Sequence, residues 1–235
     1  MKSFDGIISS SWAPRVIPFA IYIFFIALSS LVDFLAPYIS HFASFRDYSN
    51  YIFYPVKTVL VAAALIFFWS RYTEISFRIR MNDLIFSIAA GIIVFYLWIN
   101  MDWPFATLGK TEPFNPNMVG DGNMAGLLTG VRLFGAAVIV PVMEELFWRS
   151  FLIRYVINPK FESVPVGTFT VTSFVITVLL FGTEHTLWLA GIMAGIIYNV
   201  ILYRTRSVFC CILAHGITNL LLGIYVIKTG NWQFW

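Results

Sequence analysis

The stretch VFCCILAHGITNLLLGIYVI, residues 208–227, is twenty residues long and contains no Asp, Glu, Lys or Arg. A helix needs about 20 predominantly apolar residues to cross the hydrocarbon core of a bilayer. The stretch also contains His215 and Asn219, and polar side chains inside a membrane span are costly unless another group satisfies them. It therefore predicts a transmembrane helix whose polar residues have a function.

Six further apolar runs precede this stretch. They cover residues 15–36, 51–70, 83–101, 123–141 (continuing helically towards residue 157), 166–181 and 187–203. The total is seven spans, or eight if Pro141 breaks the fourth. We predict an all-α fold, a polytopic transmembrane helical bundle that forms one membrane domain over residues 1–235. Residues 1–122 would hold the N-terminal spans and an external loop, and residues 123–228 the core that carries the motifs.

Composition and charge agree with lipid as the solvent. Of 235 residues, 59% are hydrophobic and only 11% are charged, whereas a soluble domain carries about a quarter charged residues. The net charge is +3, but the basic residues lie between the apolar runs and form no stripe, so no nucleic-acid partner is predicted. No cleavable signal peptide is expected, because the first run is full length and no small-residue cleavage site follows it.

Lys and Arg are distributed unequally between the two sides of the predicted bundle. If the spans alternate from a cytoplasmic start, ten basic residues, from Lys2 to Arg206, share one side. The other side holds Arg46, Lys57, Lys110 and Lys228. The positive-inside rule then places the N-terminus in the cytoplasm and the C-terminus outside. Arg132 lies within a span and is expected to pair with another helix.

The densest group of charges in an apolar run is Pro141-Val-Met-Glu-Glu-Leu-Phe-Trp-Arg149. Glu145 and Arg149 are four apart, so on a helix they share one face and can form an ion pair. Glu144 is rotated by about 100° from its neighbour and is left without the arginine. It could point into a cavity as a free carboxylate and act as a general base. The alternative is a charge cluster at the cytoplasmic end of the span.

Two histidines lie in or at the ends of apolar runs. His215 precedes Asn219 by four residues, so the two share a helical face and could donate hydrogen bonds to a developing oxyanion. Phe181 and His185 repeat this spacing on another segment. A histidine in a membrane span is as often an interhelical hydrogen-bonding residue as a catalytic one.

Taken together, the polar residues favour an enzyme site. Four of them come from three separate spans, and each would need a partner in lipid. These four are Glu144, His185, His215 and Asn219. Convergence on one watery cavity would satisfy all four, and such a cavity is an active-site candidate.

At these residues the sequence resembles the CAAX protease and bacteriocin-processing family (CPBP, also called Abi), intramembrane proteases that include the type II CAAX prenyl endopeptidases. That family is marked by Glu-Glu-x-x-x-Arg, Phe-x-x-x-His and His-x-x-x-Asn, in this order. Here the motifs read Glu144-Glu145-Leu-Phe-Trp-Arg149, Phe181-Gly-Thr-Glu-His185 and His215-Gly-Ile-Thr-Asn219. The resemblance covers residues 126–222. The short N-terminal spans and the ending Asn-Trp-Gln-Phe-Trp235 look like the exosortase-associated subgroup, which implies the bacterial inner membrane.

The resemblance also implies a role for each motif residue. Glu144 and His185 would activate a water molecule. His215 and Asn219 would stabilise the tetrahedral oxyanion formed from a peptide or prenylated peptide substrate. Structural support would come from Glu145, Arg149 and Phe181. Either no cofactor is used, or a divalent metal such as zinc is held by Glu144, His185 and His215.

Two residues depart from the family's pattern. Ser150 stands where many relatives have Gly, and Glu184 is an extra acid beside His185.

The two histidines are expected at different depths in the membrane. By rise per residue, His185 lies near the outer end of the fifth run while His215 lies nearer the inner half. We therefore expect that helix to begin below the membrane, with residues 161–172 partly in the cytoplasm.

Two hypotheses from other classes stay open beside the protease. One is a non-catalytic membrane scaffold or chaperone of the same fold. The other is a haem protein that uses His185 and His215 as axial ligands.

Overall fold

The structure is a computed structural model, and it describes residues 4–109, 114–119 and 122–235. Lys2 and Lys110, which the charge distribution above included, lie outside the described residues, as does part of the predicted external loop at 102–122. The described chain is helical, with a single isolated β-bridge, between Thr107 and Leu187.

Eight helices make up the described chain, counting residues 122–157 as one continuous helix. They are α1 (Phe4–Ile8), α2 (Ala13–Leu35), α3 (Ser40–Phe67), α4 (Met81–Trp98), α5 (Gly122–Ile157), α6 (Val171–Thr183), α7 (Trp188–Thr205) and α8 (Val208–Thr229). Six of them, α2 to α5 together with α7 and α8, are long and apolar enough to cross a membrane, and α6 is a shorter apolar helix. The predicted all-α membrane bundle is confirmed, with six full-length spans and one short apolar helix.

Helix α5 runs unbroken through Pro141, so the eighth span that a break would create does not form. A π-helical turn at Gly135–Ile139 precedes the proline. In such a turn the N–H of residue i+5 donates to the carbonyl of residue i, and Val140 donates to the first carbonyl in this way. Pro141 has no N–H, so Ala136, five residues earlier, has a carbonyl without its π-helical donor.

Helix α6 is shorter than predicted. It contains 13 residues, about 20 Å at 1.5 Å per residue, whereas the hydrocarbon core is about 30 Å thick. The helix does not include residues 161–170, so it begins later than expected, and the position of residues 161–172 relative to the membrane stays a prediction. A 3-10 turn at Phe161–Ser163 is followed by Gly167, whose φ of +81° interrupts a right-handed helix, and Thr170 caps α6 by accepting the N–H of Ser173. These features delay the start of α6 to Val171.

Small residues set the spacing between the helices that carry the motifs. Helix α4 packs against α8 at Gly91, where a Cβ atom would lie 2.5 Å from the carbonyl oxygen of Ala214. Helix α6 packs against α7 at Gly191, where a Cβ atom would lie 3.0 Å from the Cα atom of Gly182. Small residues on α7 thus allow a close helix approach, which draws the end of α6 onto the bundle.

Candidate active site

One cavity of about 190 Å³ lies among α5, α8 and the turn that follows α6. All four polar residues expected to gather there line it: Glu144, His185, His215 and Asn219. The ring of Phe181 is near both imidazoles, with centroid distances of 4.9 Å to His185 and 6.2 Å to His215. The structure thus brings the three motifs to one place, although they are separated by long stretches of sequence.

Glu145 connects the first motif to the third. Its Oε1 atom accepts hydrogen bonds from Nη1 of Arg149 at 3.1 Å and from Nδ1 of His215 at 2.9 Å. The Arg149 guanidinium lies 4.3 Å from the ring centroid of Phe181, so it also contacts the second motif. Glu145 and Arg149 are fully buried, and the predicted i,i+4 ion pair is confirmed. A carboxylate in this position fixes the orientation of the His215 ring as well as that of the helix.

Glu144 has no share in this network. Its side chain is buried and lines the cavity, and its Oε2 atom has no hydrogen-bond partner. The difference between the neighbouring acids follows from helix geometry, because the rotation of about 100° turns Glu144 away from Arg149. A buried carboxylate oxygen without a donor is costly in a folded protein, so its presence calls for a functional explanation.

His185 presents one free ring nitrogen. Its Nδ1 atom lies 2.8 Å from the carbonyl oxygen of Phe181, and since a carbonyl only accepts, Nδ1 carries the proton and donates it. In the neutral ring, Nε2 is then an acceptor. Trp98 lies edge-on to the ring at 5.3 Å, and the loop after α4 is tied to the same turn by a hydrogen bond from Leu108 N–H to Thr186 O at 2.7 Å. These contacts hold a residue that lies just beyond its helix.

Asn219 supplies the donor that Pro141 cannot. Its Nδ2 atom donates to the carbonyl oxygen of Ala136 at 2.9 Å, the carbonyl left free in the π-helical turn. One amide N–H is thereby occupied, while the second N–H and the Oδ1 atom are available to the cavity. Asn219 therefore joins α8 to α5 in addition to lining the site.

Several aromatic and polar residues that the sequence analysis did not single out for this site also line the cavity. They include Tyr22, Tyr54, Trp98, Arg132, Tyr198 and Thr218. Tyr198 stacks on the His215 ring at 5.0 Å and donates its hydroxyl hydrogen to Oγ1 of Thr218 at 2.9 Å. No sequence signal marks Tyr198, since it is one aromatic residue among many. Arg132 did carry a signal as a lone cation in an apolar run; it lies 4.1 Å from the ring centroid of Tyr54 on α3.

The two departures from the family's pattern both have partners. The Ser150 hydroxyl donates to Oε1 of Glu74, which also accepts from Arg15 at 2.9 Å. Glu184 accepts a hydrogen bond from the indole Nε1 of Trp148 at 3.1 Å. Both residues thus anchor elements around the site.

The geometry does not fit a resident metal. Among the described residues, no group of three or more His, Cys, Asp and Glu is placed to hold an ion. Haem fits no better, because the cavity of about 190 Å³ is smaller than the roughly 300–1,000 Å³ usual for cofactor pockets. Neither a metal nor haem therefore takes part in the reaction proposed below.

Comparison with known families agrees with this arrangement. Residues 127–221 match the family described as type II CAAX prenyl endopeptidase Rce1-like. The matched segment includes all four polar residues of the cavity and the Glu145–Arg149 pair, and it leaves α2, α3 and α4 outside the match. No curated protein and no solved structure is significantly similar to the chain. The similarity to the type II CAAX prenyl endopeptidases therefore rests on residues 127–221.

Proposed function

We propose that the chain is an intramembrane endopeptidase that hydrolyses a peptide bond of a membrane-associated substrate with water activated by Glu144 and His185. The substrate would be a prenylated C-terminal peptide or a peptide of an export system. The single observation that carries the proposal is the buried Glu144 carboxylate, whose Oε2 atom has no hydrogen-bond partner and which lines the same cavity as two histidines. The Rce1-like match supports the same reaction class.

The reaction needs a base, and the Glu144 carboxylate in the cavity is free to act as that base. It would take a proton from water while the water oxygen bonds to the carbonyl carbon of the substrate. The free Nε2 of His185 would accept the second water hydrogen and hold the water in line. Collapse of the tetrahedral intermediate breaks the C–N bond, and Glu144 returns the proton to the leaving amine. The products are a carboxylic acid and an amine, and transfer of the second water proton from the acid to the amine gives a carboxylate and an ammonium ion.

The oxyanion would be stabilised by His215 and Asn219. Because His215 donates its Nδ1 proton to Glu145, its Nε2 atom can also donate only when the ring is an imidazolium. The imidazolium would face the Glu145 carboxylate, whose Oε1 atom lies 2.9 Å from Nδ1. The second N–H of Asn219 would complete a pair of donors, the arrangement that makes an oxyanion site effective.

The orientation proposed here places the N-terminus in the cytoplasm of a bacterial cell and the C-terminus outside its inner membrane. Support comes from a cavity of about 330 Å³ lined by four arginines from two distant segments, Arg78, Arg80, Arg204 and Arg206. Their gathering on one face of the bundle is what the positive-inside rule requires of a cytoplasmic face.

Hydrolysis can be tested by isotope incorporation. Purified protein in a non-ionic detergent is incubated in H₂¹⁸O with a panel of prenylated and unprenylated peptides, and the fragments are analysed by mass spectrometry. We expect two fragments from at least one peptide, with ¹⁸O in the newly formed carboxylate. Intact peptides throughout would overturn the proposal in favour of a non-catalytic scaffold, and fragments without ¹⁸O would overturn the mechanism.

A further inference from the structure

A second pocket adjoins the catalytic cavity. Its volume is about 130 Å³, and its lining consists of Asn50, Tyr54, Lys57, Phe114, Arg132 and Trp235. Tyr54, Arg132 and Trp235 also line the catalytic cavity, so the two spaces share a wall. We call this space the Lys57–Arg132 pocket.

The Lys57–Arg132 pocket has cationic donors and no matching acid. In the part of the chain that the structure describes, neither Lys57 nor Arg132 forms an ion pair. Lys57 Nζ lies 4.0 Å from the ring centroid of Tyr22, and Arg132 lies over Tyr54, so aromatic faces are their nearest counterparts. The buried Nε atom of Arg132 and the buried Nε1 atom of Trp235 have no hydrogen-bond partner.

This arrangement points to an anion. Two like charges facing one pocket repel each other, and the repulsion is strong where water and counter-ions are scarce. Unsatisfied buried donors add a further cost. One small anion between Lys57 and Arg132 would relieve both, because it would supply the missing acceptors and the missing charge.

We propose that the Lys57–Arg132 pocket binds the terminal carboxylate of the peptide whose scissile bond lies in the catalytic cavity. The inference rests on the proposed endopeptidase function and adds the recognition of one end of the substrate. The shared wall favours this occupant over a lipid phosphate, because the carboxylate belongs to the molecule that fills the adjoining cavity. Arg132 and Lys57 thereby set the direction in which the peptide lies.

Binding can be measured without cleavage. A fluorescent peptide is prepared with either a free C-terminal carboxylate or a C-terminal amide and is titrated onto the Glu144→Gln protein in a phospholipid-free non-ionic detergent. We expect the acid to bind about 10-fold or more tightly than the amide, as charge-assisted bonds to a carboxylate imply. The Arg132→Gln and Lys57→Gln variants in the same background should bring the ratio of the two affinities close to one.

Two controls isolate the pocket. Arg132→Lys keeps the charge and should retain part of the preference, and Arg204→Gln removes a cation over Phe86 on another surface and should leave the preference unchanged. Thermal melting identifies any variant that fails to fold, and either Lys57→Gln or Arg132→Gln alone suffices for the comparison.

The outcomes separate this inference from the proposed function. Equal binding of acid and amide to the Glu144→Gln protein, or equal displacement of both peptides by added phosphatidylglycerol, would overturn the carboxylate site even if the wild type cleaves peptides. A preference for the acid that disappears in Arg132→Gln would support the site even if no cleavage is ever detected.

Discussion

The Nδ1 atom of His215 lies 2.9 Å from Oε1 of Glu145, and the same oxygen accepts a hydrogen bond from Arg149. One carboxylate therefore serves an ion pair within α5 and a histidine on α8, seventy positions away in the sequence. The two acids of the first motif have divided roles: Glu145 uses its Oε1 atom to bind Arg149 and His215, whereas Glu144 lines the cavity and its Oε2 atom has no hydrogen-bond partner.

The buried Glu145–Arg149 pair predicts strong coupling in stability. Glu145→Gln or Arg149→Met alone should lower the free energy of unfolding by about 3–5 kcal/mol, because each leaves a buried charge without its partner. The double variant should cost clearly less than the sum of the two, as measured by denaturation in detergent micelles. The exposed Arg46–Asp47 pair, at 4.0 Å, provides a control whose removal should cost under about 1 kcal/mol. Additive losses for the buried pair would contradict the coupling.

The contact between α6 and α7 predicts a position-specific effect of added methyl groups. A Cβ atom at Gly191 would lie 3.2 Å from Nδ1 of His185 and 3.0 Å from the backbone of Gly182. Gly191→Ala should therefore push the His185 turn away from the cavity and lower both the melting temperature and kcat. Gly126→Ala is the matched control, since a Cβ atom at Gly126 of α5 meets nothing within 4 Å. Unchanged kcat in Gly191→Ala would show that the His185 turn tolerates displacement.

Glu74, in the loop between α3 and α4, predicts a loss of stability in acid. Burial alone would raise the pKa of the Glu74 carboxyl, but the hydrogen bonds and charge of Arg15 and the hydroxyl of Ser150 together hold its pKa below the usual value. A depressed pKa stabilises the folded state above the unfolded value of about 4.3, and this contribution is lost as the pH falls through the folded pKa.

The melting temperature of the wild type should accordingly fall as the pH drops below about 4.3. Glu74→Gln should melt lower than the wild type at pH 7 and should show a weaker fall in acid, as followed by melting curves at a series of pH values. Identical acid profiles for the two proteins would mean that Arg15 and Glu74 do not form the ion pair in solution.

Much of the fold was accessible from apolar run lengths, and the exceptions have local causes. The runs predicted every membrane-spanning helix because lipid imposes a length and a composition that a single sequence displays directly. Two features of the helices do not follow from run length. The chain continues through Pro141 because a π-helical turn and Asn219 compensate for the missing N–H. Helix α6 is short because Gly167 and a threonine cap delay its start.

The site was predictable only in part. Glu144 and the two histidines stood out because ionisable side chains in apolar runs are rare. The bond between Glu145 and His215, the stacking of Tyr198 on His215 and the position of Arg132 beside the cavity depend on contacts between distant segments. No periodicity or spacing encodes such contacts, and for this reason the sequence predicts only a structural role for Arg132.

The central claim is that Glu144 is the base, and Glu144→Gln tests it most directly. Because Oε2 of Glu144 has no partner in the fold, the amide should leave the melting temperature at or above that of the wild type, while kcat for peptide hydrolysis should fall by about 10²–10⁴-fold. Glu184→Gln, which alters a nearby acid bound to Trp148, is the matched control and should keep most of the activity. Hydrolysis by folded Glu144→Gln at the wild-type rate would contradict the account.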